Sequence, residues 1–237
     1  MDTLLIERYS GLQSPLMRWR LNGYFRLKRL VWRGLASGTQ RMKRGFDAVL
    51  SFLLLLLLSP LLLLIALLIK LQDGGPVFFV QTRAGKWGRP FNMFKFRSMY
   101  AGAEQRIQDL LAQNQHVEGV TFKMKNDPRT TRVGKCLRRL SLDELPQLIN
   151  VLRGDMSLVG PRPAVQREVA VYSPVERRRL MTTPGITGLW QIGGRAEIDF
   201  SRQVQLDIQY IESQSFWGDV TILVKTIPAV LSGKGAY

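Results

Sequence analysis

Cysteine and histidine are almost missing from this chain of 237 residues, which has one of each, Cys136 and His116. A single cysteine excludes an internal disulfide. The pair is too few for a Cys/His zinc site, and a Ser–His–Asp triad would have only His116, in a polar stretch read as a surface loop. Cys136 reads as a small buried residue of a packed helix or strand, because free cysteines behave as small hydrophobes. Acids are scarce as well. Eighteen Asp and Glu face 34 Lys and Arg, a formal charge of +16, which calls for an anionic partner: nucleic acid, phospholipid or a phosphorylated substrate. With thiol and imidazole nearly gone, a metal is expected to be a hard ion on oxygen ligands, magnesium first. Internal repeats, low-complexity tracts and Pro/Gly/Ser linkers are lacking too, so the chain beyond residue 70 reads as one compact unit.

The charge that is present is unevenly placed. Residues 1–44 hold ten Lys or Arg against Asp2 and Glu7, with Trp19, Tyr24, Phe25 and Trp32 interleaved. This basic arm suits an amphipathic segment on anionic membrane lipids, and a disordered basic tail is the alternative. Residues 48–69 then carry no charge at all. At about 1.5 Å per residue such a helix matches a hydrocarbon core of about 30 Å. Its position and length do not fit a cleaved signal peptide. Ser59-Pro60 sits at its midpoint, where Pro60 cannot donate to the carbonyl of Leu56, so a kink or break is expected. Basic residues flank both ends: Arg41, Lys43 and Arg44 before, Lys70, Arg83, Lys86 and Arg89 after. The positive-inside tendency then puts both ends on one side, and a re-entrant helix over 45–72 satisfies both observations. A bent span is the alternative.

The remainder, 73–237, reads as a compact, mostly helical α+β domain. Residues 77–81 and 91–96 have strand character around a Gly-rich basic turn, which predicts a β-hairpin. Helices are expected over 101–113, 131–140, 164–181 with an interruption at Ser173-Pro174, and 200–213. A last amphipathic helix starts near Phe216, with Val220, Leu223, Val224, Ile227 and Leu231 on one face. Residues 113–132 read as a polar loop. Two glycine- and proline-punctuated loops are expected, at 154–163 and at 184–195.

The chemistry is expected at Leu140-Ser141-Leu142-Asp143-Glu144-Leu145-Pro146-Gln147. Ser141 is a candidate N-cap, and Leu142, Leu145, Leu148, Ile149 and Leu152 have helical spacing. Two adjacent carboxylates would then sit at the positive end of a helix, where they stay ionised and where phosphate is attracted. The competing reading is a structural capping box, Ser141-x-x-Glu144. Lys95, Arg97, Arg138, Arg162 and Arg195 are candidate phosphate ligands, against ordinary solvated or lipid-facing charges.

Taken together, Lys43-Arg44-x-Phe46-Asp47, the apolar run with Ser59-Pro60, Gly75-Pro76-Val77-Phe78-Phe79-x-Gln81-x-Arg83-x-Gly85, Lys95-Phe96-Arg97-Ser98-Met99, Ser141 to Gln147, Gly154 to Pro163 and Pro184 to Gly188 resemble the bacterial sugar transferases, the monotopic phosphoglycosyl transferases. The likeness covers residues 41–237 in the family's order, and the chain has no room for the multi-span N-terminal domain of larger members. It implies transfer of a sugar 1-phosphate from a UDP-sugar to polyprenol phosphate, with release of UMP, at the cytoplasmic face of the bacterial inner membrane and with magnesium. It also implies a re-entrant helix broken at Ser59 and Pro60. Asp143 and Glu144 take the place of the family's catalytic dyad. Asp143 would be the nucleophile and both acids candidate magnesium ligands, with Glu144 either a metal ligand or a general base. The resemblance leaves the oligomeric state open, a homodimer included. Two rival functions are weighed: a membrane-anchored nucleic-acid binder, for which no recognition module is present, and a non-catalytic scaffold of a glycan assembly complex, against which the intact acid pair argues.

Overall fold

The computed structural model describes residues 15–100, 102–103, 127–233 and 235. The helix expected over 101–113 (Gly102 and Ala103 apart), His116 and most of the polar stretch 113–132 lie outside the described residues, as do residues 1–14 of the basic arm. The fold is mostly helical with five short strands among the described residues. The chain divides into two compact units, Met1–Gly45 and Phe46–Tyr237. Described residues 15–45 of the first are helical, and helix α1 is assigned over Pro15–Asp73.

Within the second unit α1 has two faces. Asp47, Ser51, Ile65 and Ile69 are buried at helical spacing, and Leu50, Leu54, Leu55, Leu61 and Leu62 pack beside them. On the other face Leu53, Leu57, Leu63, Leu67 and Leu71 are exposed, Leu57 at 74%. A contiguous aliphatic face of this kind marks a surface meant for lipid or protein rather than water, and Gly38–Asp73 is long and apolar enough to cross a membrane. Of the kink or break expected at Ser59-Pro60, a break is not seen: the chain stays helical through both residues. Proline leaves the carbonyl of Leu56 without its amide donor, and the Ser59 hydroxyl donates to that same carbonyl at 2.8 Å. The serine thus compensates for its neighbour. Near the start of this stretch, Ser157 Oγ donates to Asp47 at 2.7 Å. At its end Gly74 turns left-handed, and Asp73 forms an ion pair with Arg97.

Strands β1 (Phe78–Ala84) and β2 (Pro90–Phe96) form the expected hairpin, antiparallel from Phe78↔Phe96 to Ala84↔Pro90 and longer than the sequence pattern suggested. Helix α2 (Arg132–Arg139) is capped by Thr131, whose side chain accepts from Gly134 N. Gly134 lets α2 lie against the backbone of Ser98, since a Cβ there would come within 1.9 Å of Ser98 O. Cys136 lies on this helix but is exposed, not buried as expected, because α2 turns Gly134 and Leu137 inward instead. Helix α3 (Gln147–Arg153) follows the acid pair. Its Asn150 is fully buried, accepts from Phe94 N at 3.0 Å and donates to Asn92 O at 2.7 Å. One side chain thereby serves as a neighbouring strand for β2.

The loop expected at 154–163 contains strand β3 (Ser157–Val159). Residues 164–181 are not one helix: Ala164–Val165 is strand β4, Gln166–Ala170 is helix α4, and Glu176–Met181 is a 3-10 turn. Pairing of Val165 with Arg83 of β1 takes the first two residues into the sheet, whose order is β2-β1-β4. Strand β5 (Gly185–Thr187) runs parallel to β3. Gly185 is required there, because a Cβ would lie 2.0 Å from Gly160 N. The second expected loop instead carries helix α5 (Leu189–Gly193) and a 3-10 turn, Arg195–Glu197. Helices α6 (Phe200–Ser213) and α7 (Phe216–Ser232) complete the chain. On α7 the inward residues are Asp219 and Ile222, while Val224, Ile227 and Leu231 of the expected apolar face point outward. The main core joins Met93, Leu148, Val151, Met156, Leu158, Val159, Tyr210 and Ile222.

Candidate active site

The turn carrying the acid pair differs from its sequence reading. Ser141 does not cap a helix: it is left-handed at φ 53°, and its side chain makes no cap bond. Its amide donates to Arg138 O at 3.1 Å, so it is not free for Glu144. Leu142–Glu144 form a single 3-10 turn, and α3 begins only after Pro146, a residue suited to a helix start. The capping box is therefore absent, and Glu144 is released for other work.

That work is visible in its contacts. Lys95 Nζ of β2 and Arg162 Nη2 of the β3–β4 loop reach the same oxygen, Glu144 Oε1, at 2.8 and 3.0 Å. Burial opposes ionisation of Glu144, but Arg162 and Lys95 outweigh it and hold the carboxyl well below its ordinary range. Glu144 in turn raises Arg162, against burial. At Lys95 burial dominates, and the ammonium titrates lower than usual despite Glu144.

Asp143 is treated differently. It is 8% exposed, and among the described residues its carboxylate receives no hydrogen bond or ion pair. Burial raises its pKa; Lys95 opposes this, Glu144 adds to it, and Arg138 and Arg162 oppose it less strongly. The net direction is upward, to about 6. A helix N-terminus was expected to keep this acid comfortably ionised; without that helix, burial prevails. Near neutral pH it is still mainly a carboxylate, but a weakly held one, and therefore a better nucleophile than an ion-paired acid.

The remaining sequence candidates divide. Arg138 donates to Thr130 Oγ1 at 3.1 Å and acts on Asp143 through its charge. Arg195, left-handed at φ 52°, has its pKa lowered by burial and feels Glu144, and its Nη1 is buried without a partner among the described residues. Arg97 is not part of this cluster. It pairs with Asp73 and packs against Gly75, where a Cβ would come within 1.9 Å of its guanidinium. Its position ties the end of α1 to β2. Ser59 and Pro60 belong to α1 and not to the acid cluster.

Arg83, read from the sequence only as a flanking cation and a motif residue, was not among the site candidates. It donates to Pro163 O at 3.1 Å and to Gln81 Oε1 at 2.7 Å, and so steadies the Pro161-Arg162-Pro163 loop. Burial and then Arg162 push it down to about 10. The available signal was Gln81-x-Arg83, two residues on one strand face.

Asp143, Glu144, Arg83, Lys95, Arg138, Arg162 and Arg195 line one cavity of about 1260 Å³, which Arg97 also lines and Ser59 and Pro60 do not. Its lining joins these charged groups to aliphatic residues of α1 and α7, among them Leu54, Leu58, Leu223 and Ile227. The arrangement suits an anionic substrate and a buried carboxylate nucleophile. A profile of the bacterial sugar transferases matches residues 38–233.

The chain belongs to the bacterial sugar transferase family.

Similar proteins agree with this. The exopolysaccharide production protein ExoY of Rhizobium meliloti (strain 1021) is 44% identical over 198 residues, covering 82% of this chain and 88% of that protein. The undecaprenyl-phosphate galactose phosphotransferase of Salmonella typhimurium is 43% identical over 211 residues, 87% of this chain and 44% of that one. The UDP-glucose:undecaprenyl-phosphate glucose-1-phosphate transferase of Caulobacter vibrioides is 43% identical over 203 residues, 82% and 72% respectively. The protein is thus a transferase, and its exposed apolar helix makes it a membrane-associated one.

The elevated Asp143 carries a stability prediction. Its folded value lies above the ordinary value near 4, so ionising it favours the unfolded chain. The penalty is absent below about pH 4, grows between about pH 4 and 6, and is complete above that. Asp143→Asn removes it. In thermal unfolding the variant should be more stable than wild type at pH 8, by on the order of 2 kcal/mol, and equal to it near pH 4. A variant less stable at pH 8 would contradict this picture of the site.

Proposed function

We propose that this transferase moves a sugar 1-phosphate from a UDP-sugar to polyprenol phosphate and releases UMP, by way of a phosphosugar carried on Asp143. The observation that carries the reading is the division of labour in the dyad: Glu144 clamped by two cations, Asp143 buried and unpaired beside it. Relatives named as phosphotransferases and glucose-1-phosphate transferases of undecaprenyl phosphate supply the reaction class.

An oxygen of Asp143 attacks the β-phosphorus of the donor. The bond from that phosphorus to the bridging oxygen breaks, and UMP leaves with the electron pair. The resulting acyl phosphate carries the sugar. A phosphate oxygen of the acceptor then attacks the same phosphorus, breaks its bond to Asp143 and restores the carboxylate. With the second phosphate pKa near 6, neither step needs a proton transfer at neutral pH, so Glu144 has no base work to do. Its role is to hold Lys95 and Arg162 at the reacting phosphate and to take part in a metal site.

Magnesium binds through one or two carboxylates plus phosphate oxygens and water. The dyad offers two, and among the described residues no group of three or more His, Cys, Asp or Glu gathers anywhere. Asp143 and Glu144 would hold the ion, with the donor's phosphate oxygens and water completing its ligands. When bound, magnesium neutralises charge on that diphosphate. Lys95, Arg138, Arg162 and Arg195 do the rest, and Arg97 contributes indirectly through Asp73.

The cytoplasmic face of the bacterial inner membrane is the proposed location, with α1 dipping into one leaflet. Both halves of α1 beyond Phe46 pack on the same body: Leu50, Leu54 and Leu55 on the main core, Ile65 and Ile69 on Phe96 and Leu137. A helix held along both halves by one cytoplasmic domain is poorly placed to cross.

Two tests follow. Asp143→Asn should lower UMP release from UDP-sugar plus polyprenol phosphate by about 10³-fold or more, with insertion and folding kept; turnover near wild type would remove Asp143 from the chemistry. For topology, single cysteines at the exposed Met42 and Leu71, in a Cys136→Ser background, should react with an impermeant maleimide only from the cytoplasmic side. Labelling of either one from the periplasm would establish a span.

A further inference from the structure

We infer that the carboxamide of Gln191, on α5, reads the uracil edge of the donor. This rests on the UDP-sugar reading above and names the residue that selects its base. Gln191 lines the cavity that holds the dyad. Its Oε1 and Nε2 are both buried, and neither has a hydrogen-bond partner among the described residues. Other carboxamides of the domain are employed: Asn150 bonds to Phe94 N and Asn92 O, and Gln203 Nε2 donates to Ile198 O at 2.7 Å. Gln147 and Gln166 each leave one nitrogen unpaired, but neither lines the cavity. An amide buried with both atoms unpaired costs the fold the desolvation of each. A ligand that pairs both atoms at once accounts for keeping it.

The chemistry of the donor decides which group that is. Its diphosphate only accepts hydrogen bonds, and it calls for cations rather than an amide. The hydroxyls of ribose and hexose each donate and accept by rotating, so they need no fixed donor–acceptor pair. An N-acetyl group on a sugar points its N–H and its carbonyl to opposite sides and cannot engage both atoms of one carboxamide. Uracil is different. Its N3–H lies between two carbonyls in one rigid plane, a donor directly beside an acceptor. A primary carboxamide is the complement of that edge: Oε1 accepts from N3–H while Nε2 donates to the adjoining carbonyl.

The backbone around Gln191 is shaped for this residue. At Gly188 a Cβ would come within 2.9 Å of Gln191 Oε1 and 2.7 Å of Gly160 O, so only glycine leaves the carboxamide its place. Gln191 as a whole is only half-buried, and rotation of its carboxamide presents both atoms to a ligand in the cavity. Four residues on, the chain turns through two left-handed positions, Gly194 at φ 154° and Arg195 at φ 52°. Such strain in an arginine is a mark of functional sites. Arg195 lines the same cavity, feels Glu144 and leaves its Nη1 unpaired among the described residues. On this assignment the donor's phosphates meet Arg195 and its base meets Gln191, in the order in which a nucleotide carries them.

The test is calorimetric binding of UDP and of N3-methyl-UDP to the full chain in lipid nanodiscs, in wild type and in Gln191→Met, a neutral change of similar size. Methylation removes the N3–H and leaves the phosphates alone. Wild type should bind UDP about tenfold or more tighter than the methylated analogue. Gln191→Met should weaken UDP by about the same factor and bind the two nucleotides within about threefold of each other. Equal affinity of wild type for both nucleotides overturns the assignment without recourse to any variant. A variant that keeps the full preference for UDP overturns it as well. So does one that weakens UDP-glucose but not UDP, compared in an Asp143→Asn background to prevent turnover, because Gln191 would then touch the hexose. A wild-type chain that binds neither UDP nor UDP-glucose refutes the donor reading itself, and the assignment falls with it.

Discussion

Lys95 and Arg162 meet on one oxygen of Glu144, and the rest of the site depends on that meeting. The three residues come from β2, the β3–β4 loop and the turn before α3. A buried ion pair returns little net stability once desolvation is counted, so its value here lies in position and charge. It spends two cations on Glu144 and leaves Asp143 with their field but without their contacts. A carboxylate paired directly with a guanidinium would be a poor nucleophile, and one with no cations near could not meet an anionic diphosphate. The dyad avoids both outcomes by assigning one requirement to each acid.

The surrounding structure holds those three segments in register. Arg83 fixes the loop that carries Arg162, and Asn150 fastens α3 to the edge of β2, where Lys95 sits. Asp47 and Arg97 fasten the two ends of the packed part of α1, one to β3 and one to the end of β2. The helix that meets the lipid is therefore keyed to the same strands that build the charge cluster. On the proposed reaction, between a soluble and a lipid-bound phosphate, the position of this helix and the geometry at the dyad become a single constraint.

Much of this could be read from the residues alone, and the failures have physical causes. The hairpin was legible because alternation along Phe78–Ala84 and a glycine turn are local signals. The dyad was legible as a pair of acids in an acid-poor chain. Ser141 was misread because a left-handed φ leaves no mark in composition, and capping-box spacing looks the same without it. Arg97 looked like a free cation because its partner, Asp73, is 24 residues away. Strands β3 and β5 have three residues each, too few for any period, and they pair only because Gly160 and Gly185 permit backbone contact. At Pro60 the rule for proline was sound, but the serine hydroxyl beside it satisfied the carbonyl the rule left open.

The central claim is that the unpaired carboxylate becomes covalently loaded. Intact-mass and peptide spectrometry of protein quenched in acid after mixing with UDP-sugar, in the absence of acceptor, addresses it directly. The account predicts one added sugar phosphate per chain, mapped to Asp143 and discharged when polyprenol phosphate is supplied. A fully active enzyme that never carries this mass, or carries it on another residue, would contradict it.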